Sequence, residues 1–219
     1  MTNPDTPVWY AAYGSNLSTD RFRTYLEGGP VPGSTTGRVQ RGAADPSPPR
    51  ADHPFLIDRE LVFAGTSASW GGGGVAFLDA DTMGPEAPTM GRIWGITLGQ
   101  FLDVFAQENA FGGDELEVET LAAFDLDTTV GHGRIDLAER AYGRVELLDS
   151  IDGVPVLTIT GRSRPTELRA AHDSYLRTIA TGLAEAWGAD AGAAARYLSA
   201  LAPHHAGDAA RLEQQLGTS

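Results

Sequence analysis

Tyr10-Ala11-Ala12-Tyr13-Gly14-Ser15-Asn16-Leu17 is the stretch on which the reading of this chain turns. Residues 8–13 are apolar and aromatic and are read as a buried strand. They run into Gly14-Ser15-Asn16, three residues that favour turns and caps. Residues 18–26 then carry Phe22, Tyr25 and Leu26 on one helical face. A strand that ends in Gly-Ser-Asn and passes into a helix gathers free backbone N–H groups at one spot. Together with the positive end of the helix, they suit a carboxylate or a developing oxyanion. An ordinary turn capped by Asn16 or Ser18 explains the same residues, and on physical grounds alone it is the commoner case.

Working outward, residues 27–54 are rich in Gly and Pro and are read as a long loop. Phe55, Ile57, Leu61 and Phe63 predict one strand or two short ones, residues 75–78 a short strand, and residues 91–98 another buried strand. Phe101, Leu102 and Phe105 predict a helix over 99–107, and residues 114–124 suit a further helix. Segments 142–148 and 154–160 flank Asp152-Gly153 and predict a hairpin. Pro165 and Thr166 are read as opening a long helix, with Leu168, Ala171, Tyr175, Ile179 and Leu183 on one face and Gly188 ending it. A helix over 191–201, a stop at Pro203 and a short, loosely held helix after Gly207 complete the chain. No repeat or linker divides residues 1–219, which are read as one domain. Strands dominate early and helices late, giving an α+β or mixed α/β class.

Composition narrows the function. The chain has 219 residues, no cysteine and a net charge of −13. Cysteine's absence removes disulfides, thiolate zinc sites and a cysteine nucleophile. No stripe of Lys and Arg is available to neutralise phosphates, so nucleic-acid partners are not expected. An anionic membrane surface would repel the chain, and no apolar run approaches the ~20 residues a spanning helix needs. The N-terminus is polar, and the expected location is cytoplasmic.

Familiar signatures fail on context. Gly71 to Ala76 formally matches G-x-G-x-x-A, but Phe77-Leu78-Asp79 continues a strand where a helix would be needed. Gly65-Thr66-Ser67-Ala68-Ser69 lacks the last glycine of a nucleophile elbow. None of the five histidines pairs with another at i, i+4, so no metal site is expected. Glu108 remains, just beyond an apolar helical stretch and beside Phe105 and Phe111. A partly desolvated carboxylate there would suit proton transfer, although a solvated glutamate at a helix end is the commoner case. Trp70 and Trp94 are read as core.

The string YAAYGSNL resembles the YGSNL signature of γ-glutamylcyclotransferase-like proteins. Leu61-Val62-Phe63, the run from Ser67 to Ala76 and Gly91-Arg92-Ile93-Trp94 are similar to later segments of that family. Gln107-Glu108 falls where the family places its essential glutamate, and residues 175–197 resemble its helical C-terminal part. The chain departs from the pattern at Asn109, where glycine is usual. It departs again over residues 112–140, an apparent insertion bracketed by Gly112, Gly113, Gly131 and Gly133. That segment is read as a flap over the pocket or a surface excursion, and residues 203–219 as a short tail.

The resemblance implies a curved or barrel-like mixed sheet with flanking helices. It also implies cleavage of a small-molecule γ-glutamyl amide by cyclisation to 5-oxoproline, without metal or cofactor. Glu108 would be the acid/base. Tyr13, Gly14, Ser15, Asn16 and Leu17 would bind substrate. Removal of a γ-glutamyl group from a biosynthetic intermediate, and a binding module that keeps the pocket without turnover, are the alternatives. The leaving amine and the oligomeric state are left open.

Overall fold

The computed structural model describes residues 3–83, 88–109, 124–201, 203 and 208–217. Strand β1 (Pro7–Ala12) leads through a 3-10 turn (Ser15–Leu17) into α1 (Thr19–Glu27). The two-residue strands β2 (Gly29–Pro30) and β3 (Val39–Gln40) pair with each other. Then come β4 (Asp52–Ile57), β5 (Arg59–Ser67), β6 (Gly73–Met83) and β7 (Thr89–Thr97). Helix α2 (Leu98–Glu108) follows directly, and α3 (Leu126–His132) leads into β8 (Arg134–Asp136). The hairpin β9 (Arg144–Ile151) and β10 (Val154–Thr160) precedes α4 (Asp173–Trp187), α5 (Ala191–Ala200) and α6 (Ala209–Leu216).

Six strands form one mixed sheet in the order β4-β7-β1-β10-β9-β8, in which only the β1–β10 pair is parallel. Period-two alternation in β1 feeds two cores, because both faces of the sheet are covered. Val8, Tyr10 and Ala12 face Phe101, Val104 and Phe105 of α2 with Phe22, Tyr25 and Leu26 of α1. Ala11 and Tyr13 join a second core with Tyr175, Ile179 and Leu183 of α4 and Leu198 of α5. This is the expected α+β class, but the sheet is open and does not close into a barrel. β5 and β6 form a separate ribbon, stitched to β10 where the Thr160 hydroxyl accepts from Leu78 N at 3.2 Å and donates to Leu78 O at 3.1 Å.

Local chemistry sets the element ends. Thr97 and Gln100 make a reciprocal capping box at the start of α2 (3.2 and 3.0 Å). Asp152 and Gly153 take φ of 51° and 78°, the two left-handed residues of a type I′ hairpin turn. Gly188 ends α4 in the left-handed conformation, as its position predicts.

Three expectations need correction. The long loop is interrupted by β2 and β3, and its last part, including Pro54, belongs to β4. β4 is an edge strand, where a proline's missing N–H costs no ladder bond. The long helix begins at Asp173 instead of Pro165. Residues 168–171 are held against the ribbon because Arg169 N bonds Phe63 O and Gly74 N bonds Ala170 O, so the ribbon captures backbone groups that a helix would have used. The C-terminal helix is packed, not loose: Leu212 is buried and Gln215 and Arg211 reach Asp173.

The helix expected over 114–124 and the first half of the segment 112–140 lie outside the described residues, apart from Phe124. The described remainder supplies α3 and β8, which pairs with β9 and extends the sheet.

One contact fixes where the first turn sits. A Cβ at Gly182 of α4 would lie 2.3 Å from Leu17 Cβ and 2.5 Å from Ser18 N. Alanine in place of a mid-helix glycine ordinarily stabilises by about 1 kcal/mol. Here overpacking, typically about 1–3 kcal/mol, opposes that gain. Gly182→Ala is therefore expected to lower the melting temperature; a raised melting temperature would mean that the turn yields freely.

Candidate acid/base site

The turn after β1 and the end of α2 meet at one cavity. Asn16 is 5% exposed, and its amide nitrogen donates to Glu108 Oε1 at 2.8 Å and to the Tyr10 hydroxyl at 3.0 Å. The two residues are 92 apart in sequence. A carboxylate only accepts, so this bond fixes the orientation of the Asn16 amide. Asn16 Oδ1 is left buried without a partner. The cavity encloses about 180 Å3. Drug-sized ligands typically occupy roughly 300–1,000 Å3, so this space suits a ligand of amino-acid size.

The turn's backbone is shaped from outside the cavity. Leu17 N–H closes onto Gly14 O at 3.1 Å, leaving the amides of Gly14, Ser15 and Asn16 with no backbone acceptor among the described residues. The Asn16 carbonyl accepts from Trp94 Nε1 (2.9 Å) and the Leu17 carbonyl from Arg92 (2.8 Å). Gly14 lets the turn approach Tyr175 closely: a Cβ there would stand 2.7 Å from the Tyr175 hydroxyl, which would have to shift.

Of the residues read from the sequence, Tyr13, Gly14, Ser15, Asn16 and Glu108 all line the cavity. Tyr13 is wall and support at once, because its hydroxyl donates to Ile159 O at 2.7 Å. Leu17 does not line the cavity: its side chain is 0% exposed within the core, against Gly182. Trp94 is core, stacked on Phe22 at 4.7 Å, whereas Trp70 is both core and cavity wall. Phe111 lies outside the described residues.

Asn109 is a fixture of the site. Its φ of −98° needs no glycine, and its amide donates to Phe105 O and Tyr142 O, both at 3.0 Å. It thus ties the end of α2, where Glu108 sits, to the Tyr142 wall. Tyr142 in turn donates to Ala76 O at 2.8 Å and stacks on Phe77.

Sequence reading missed two cavity arginines. Arg21 is 3% exposed, lies over the Tyr25 ring at 4.0 Å, donates to Thr24 Oγ1 and to the Tyr25 hydroxyl, and leaves its Nε without a partner. Arg38 is half-buried and donates to Gln107 O at 3.2 Å. Neither forms an ion pair with a carboxylate among the described residues. Arg21 carried a signal, a cation one position before Phe22 and four before Tyr25 on the buried face of its helix. Arg38, inside a polar loop, carried none.

Four of the chain's six tyrosines line the cavity. Burial first, and then the charge of Glu108, holds Tyr10 well above the ordinary phenol value. Burial pushes Tyr175 up to about 12, against the bond from Ala76 N. Tyr13, Tyr25, Tyr142 and Tyr197 are raised by burial too. These hydroxyls stay protonated at neutral pH, which leaves Glu108 as the cavity's one carboxylate among the described residues.

The fold and site define an α+β protein with a small cavity, an oriented carboxylate, turn amides without backbone acceptors and two cations without a carboxylate partner among the described residues. No protein-family model matches the chain. Histone deacetylase 5 of Arabidopsis thaliana is 33% identical over 192 residues, which is 81% of this chain; the chain spans only 28% of that protein's length. A solved structure of a gamma-glutamyl cyclotransferase is 17% identical, with a TM-score of 0.44, covering 95% of this chain and 99% of that one. An uncharacterized Homo sapiens protein gives 17% identity and a TM-score of 0.46, covering 95% and 98%. Likenesses of this size do not assign the chain to a family. Among the described residues, no group of three His, Cys, Asp or Glu could hold a metal ion, and no helix is long and apolar enough to cross a membrane.

The tyrosines give a pH test. A phenol whose folded pKa is raised contributes stability that is complete below its unfolded value of 10.0 and is lost as pH rises toward the folded value, about 12 for Tyr175. Phenolate absorbance should therefore stay low well past pH 10.0 in the folded protein and appear together with alkaline unfolding. Smooth titration of several tyrosines near 10 with the fold intact would contradict the burial described.

Proposed function

We propose that this protein cleaves a γ-glutamyl amide by intramolecular cyclisation, releasing 5-oxoproline and a free amine or amino acid. The observation that carries the reading is the Asn16–Glu108 hydrogen bond, which sets one carboxylate beside the turn whose amides at residues 14–16 have no backbone acceptor among the described residues, in a cavity of amino-acid size.

The glutamyl α-amine attacks its own γ-carbonyl carbon. A C–N bond forms, the amine proton passes to Glu108, and the carbonyl oxygen becomes an oxyanion. Collapse breaks the original amide C–N bond, and Glu108 returns the proton to the departing nitrogen. No water is consumed, and Glu108 ends as it began. Backbone amides of the turn are placed to hold the oxyanion or the α-carboxylate. Arg21 offers the α-carboxylate a counter-charge, and the orphaned Asn16 Oδ1 offers the α-amine an acceptor. Ring closure needs the substrate folded on itself, and orientation of this kind contributes on the order of 7–11 kcal/mol in the best cases. The crowded tyrosine walls favour such a folded substrate.

The direct test incubates the protein with a panel of γ-glutamyl amides and reads 5-oxoproline by mass spectrometry. Glu108→Gln keeps the shape, and its amide oxygen can still accept from Asn16 Nδ2, but it cannot take the proton. It should lose about a hundred-fold or more in kcat while its melt and substrate affinity stay near wild type. Equal rates would remove Glu108 from the chemistry. Wild-type binding without 5-oxoproline would instead leave a binding module.

Asn16→Ala should behave differently. It deletes a hydrogen bond to a charged group, ordinarily about 1.5–3 kcal/mol, and also the proposed amine acceptor. Affinity and kcat should therefore fall together. A loss confined to kcat would limit Asn16 to positioning Glu108.

A further inference from the structure

Glu108 is the last residue of α2. The carbonyls of a helix's final turn have no donor within the helix, and such ends fray unless something outside holds them. A carboxylate on that turn keeps its place only if the turn does. Two side chains hold it here: Arg38 donates to Gln107 O at 3.2 Å, and Asn109 donates to Phe105 O at 3.0 Å.

Asn109 is 0% exposed. Its backbone N–H also reaches Phe105 O, at 3.2 Å, and its side-chain amide nitrogen donates a second bond to Tyr142 O at 3.0 Å. Carbonyls only accept, so these bonds fix which end of the amide faces them. The amide oxygen is left buried without a partner, a cost to folding that alanine would not carry. The side chain is committed to joining the end of α2 to the entry of β9.

From Tyr142 the contacts continue around the cavity. Its hydroxyl donates to Ala76 O of β6 at 2.8 Å, and Ala76 N donates to the Tyr175 hydroxyl of α4 at 3.2 Å. That hydroxyl also accepts from the Ser15 backbone amide. Ser15 precedes Asn16, whose side chain returns to Glu108 at 2.8 Å. The path closes on itself, and every member except Asn109 lines the cavity. Asn109 can therefore be changed without removing a group that meets a ligand.

We propose that Asn109 is a positioning residue: it closes this ring and so holds the last turn of α2, with the Glu108 carboxylate set against the Asn16 amide. The geometric effect needs no turnover. The effect on rate rests on the cyclisation reading.

The test pairs a spectroscopic signal with kinetics. The Asn16 side-chain amide gives a pair of proton–nitrogen NMR signals, identified by their loss in Asn16→Ala. One proton of the pair meets the Glu108 carboxylate, and a charge-assisted bond holds it downfield and slows its exchange with solvent. In Asn109→Ala that proton should move upfield and exchange faster. With the best substrate of the γ-glutamyl amide panel, kcat for 5-oxoproline release should fall about ten- to a hundred-fold, the scale expected for a slightly displaced catalytic group. KM should change little. Asn109→Ala combined with Glu108→Gln should be no slower than Glu108→Gln alone, because Asn109 acts only through Glu108. Asn109→Ser, whose one hydroxyl proton serves one of the two carbonyls, should fall between alanine and wild type. It replaces alanine in every measurement if a melt shows the alanine variant unfolded.

An Asn16 signal unmoved in the folded variant overturns the proposal. So does a kcat loss as large in the Glu108→Gln background as in the wild type, which is the mark of a residue that only supports the fold. A moved signal with kcat unchanged keeps the clamp and takes Glu108 out of the chemistry. If the wild type releases no 5-oxoproline from any amide of the panel, the cyclisation reading falls and the Asn16 signal alone decides Asn109.

Discussion

Two side chains on one face of β7 hold the site in place. Arg92 and Trp94 are two residues apart, so they project the same way from the strand. They donate to the consecutive carbonyls of Leu17 and Asn16. A planar peptide group whose carbonyl is held toward the sheet must point its N–H the other way. Fixing those two carbonyls therefore aims the Leu17 and Ser18 N–H groups back at Gly14 O and Ser15 O, both at 3.1 Å, which closes the turn. Arg92 lies over the Trp94 ring at 3.9 Å, and Trp94 stacks on Phe22 of α1, so the donors are themselves braced.

Arg92 binds more than the turn. Its guanidinium also pairs with Asp52 of β4 and Glu185 of α4, both at 2.7 Å. A buried cation needs such partners, since leaving one charge uncompensated costs about 3–5 kcal/mol. The side chain ties an edge strand, an inner strand, the turn and the long helix to one point. Gly182 completes the arrangement from the other side by letting α4 press against Leu17 without a Cβ between them.

Structural cations and site cations are treated differently in this fold. Arg92, Arg144 and Arg164 each meet carboxylates, whereas Arg21 and Arg38 meet only neutral acceptors or a ring among the described residues. Asn16 Oδ1 and Arg21 Nε are buried and unpartnered beside the same cavity. Unpaired buried polar groups oppose folding, and a ligand that satisfies them recovers that cost on binding. The wall's Tyr13 and Tyr142 donate to backbone carbonyls and stay neutral, so they brace the cavity without adding charge.

The sequence by itself determined the local elements and the chemistry available. An apolar, aromatic run placed β1, alternation placed β7, the apolar period placed α2, the Asp152-Gly153 pair placed the hairpin, and Gly188 placed the end of α4. Each depends on neighbours in the chain, which is why each was legible. Gly14, Ser15, Asn16 and Glu108 stood out for similar reasons, as a strand–turn–helix junction and a carboxylate at a helix end. Only the tertiary structure decided that Asn16 and Glu108 touch, because sheet order brings together groups 92 residues apart. It decided that the sheet stays open, that residues 168–171 pair with a ribbon although the spacing there is helical, and that Leu17 serves the core. It also decided that Arg21 and Arg38 share one cavity. A cation's role depends on whether a carboxylate lies near it in space, and nothing in the spacing along the chain records that.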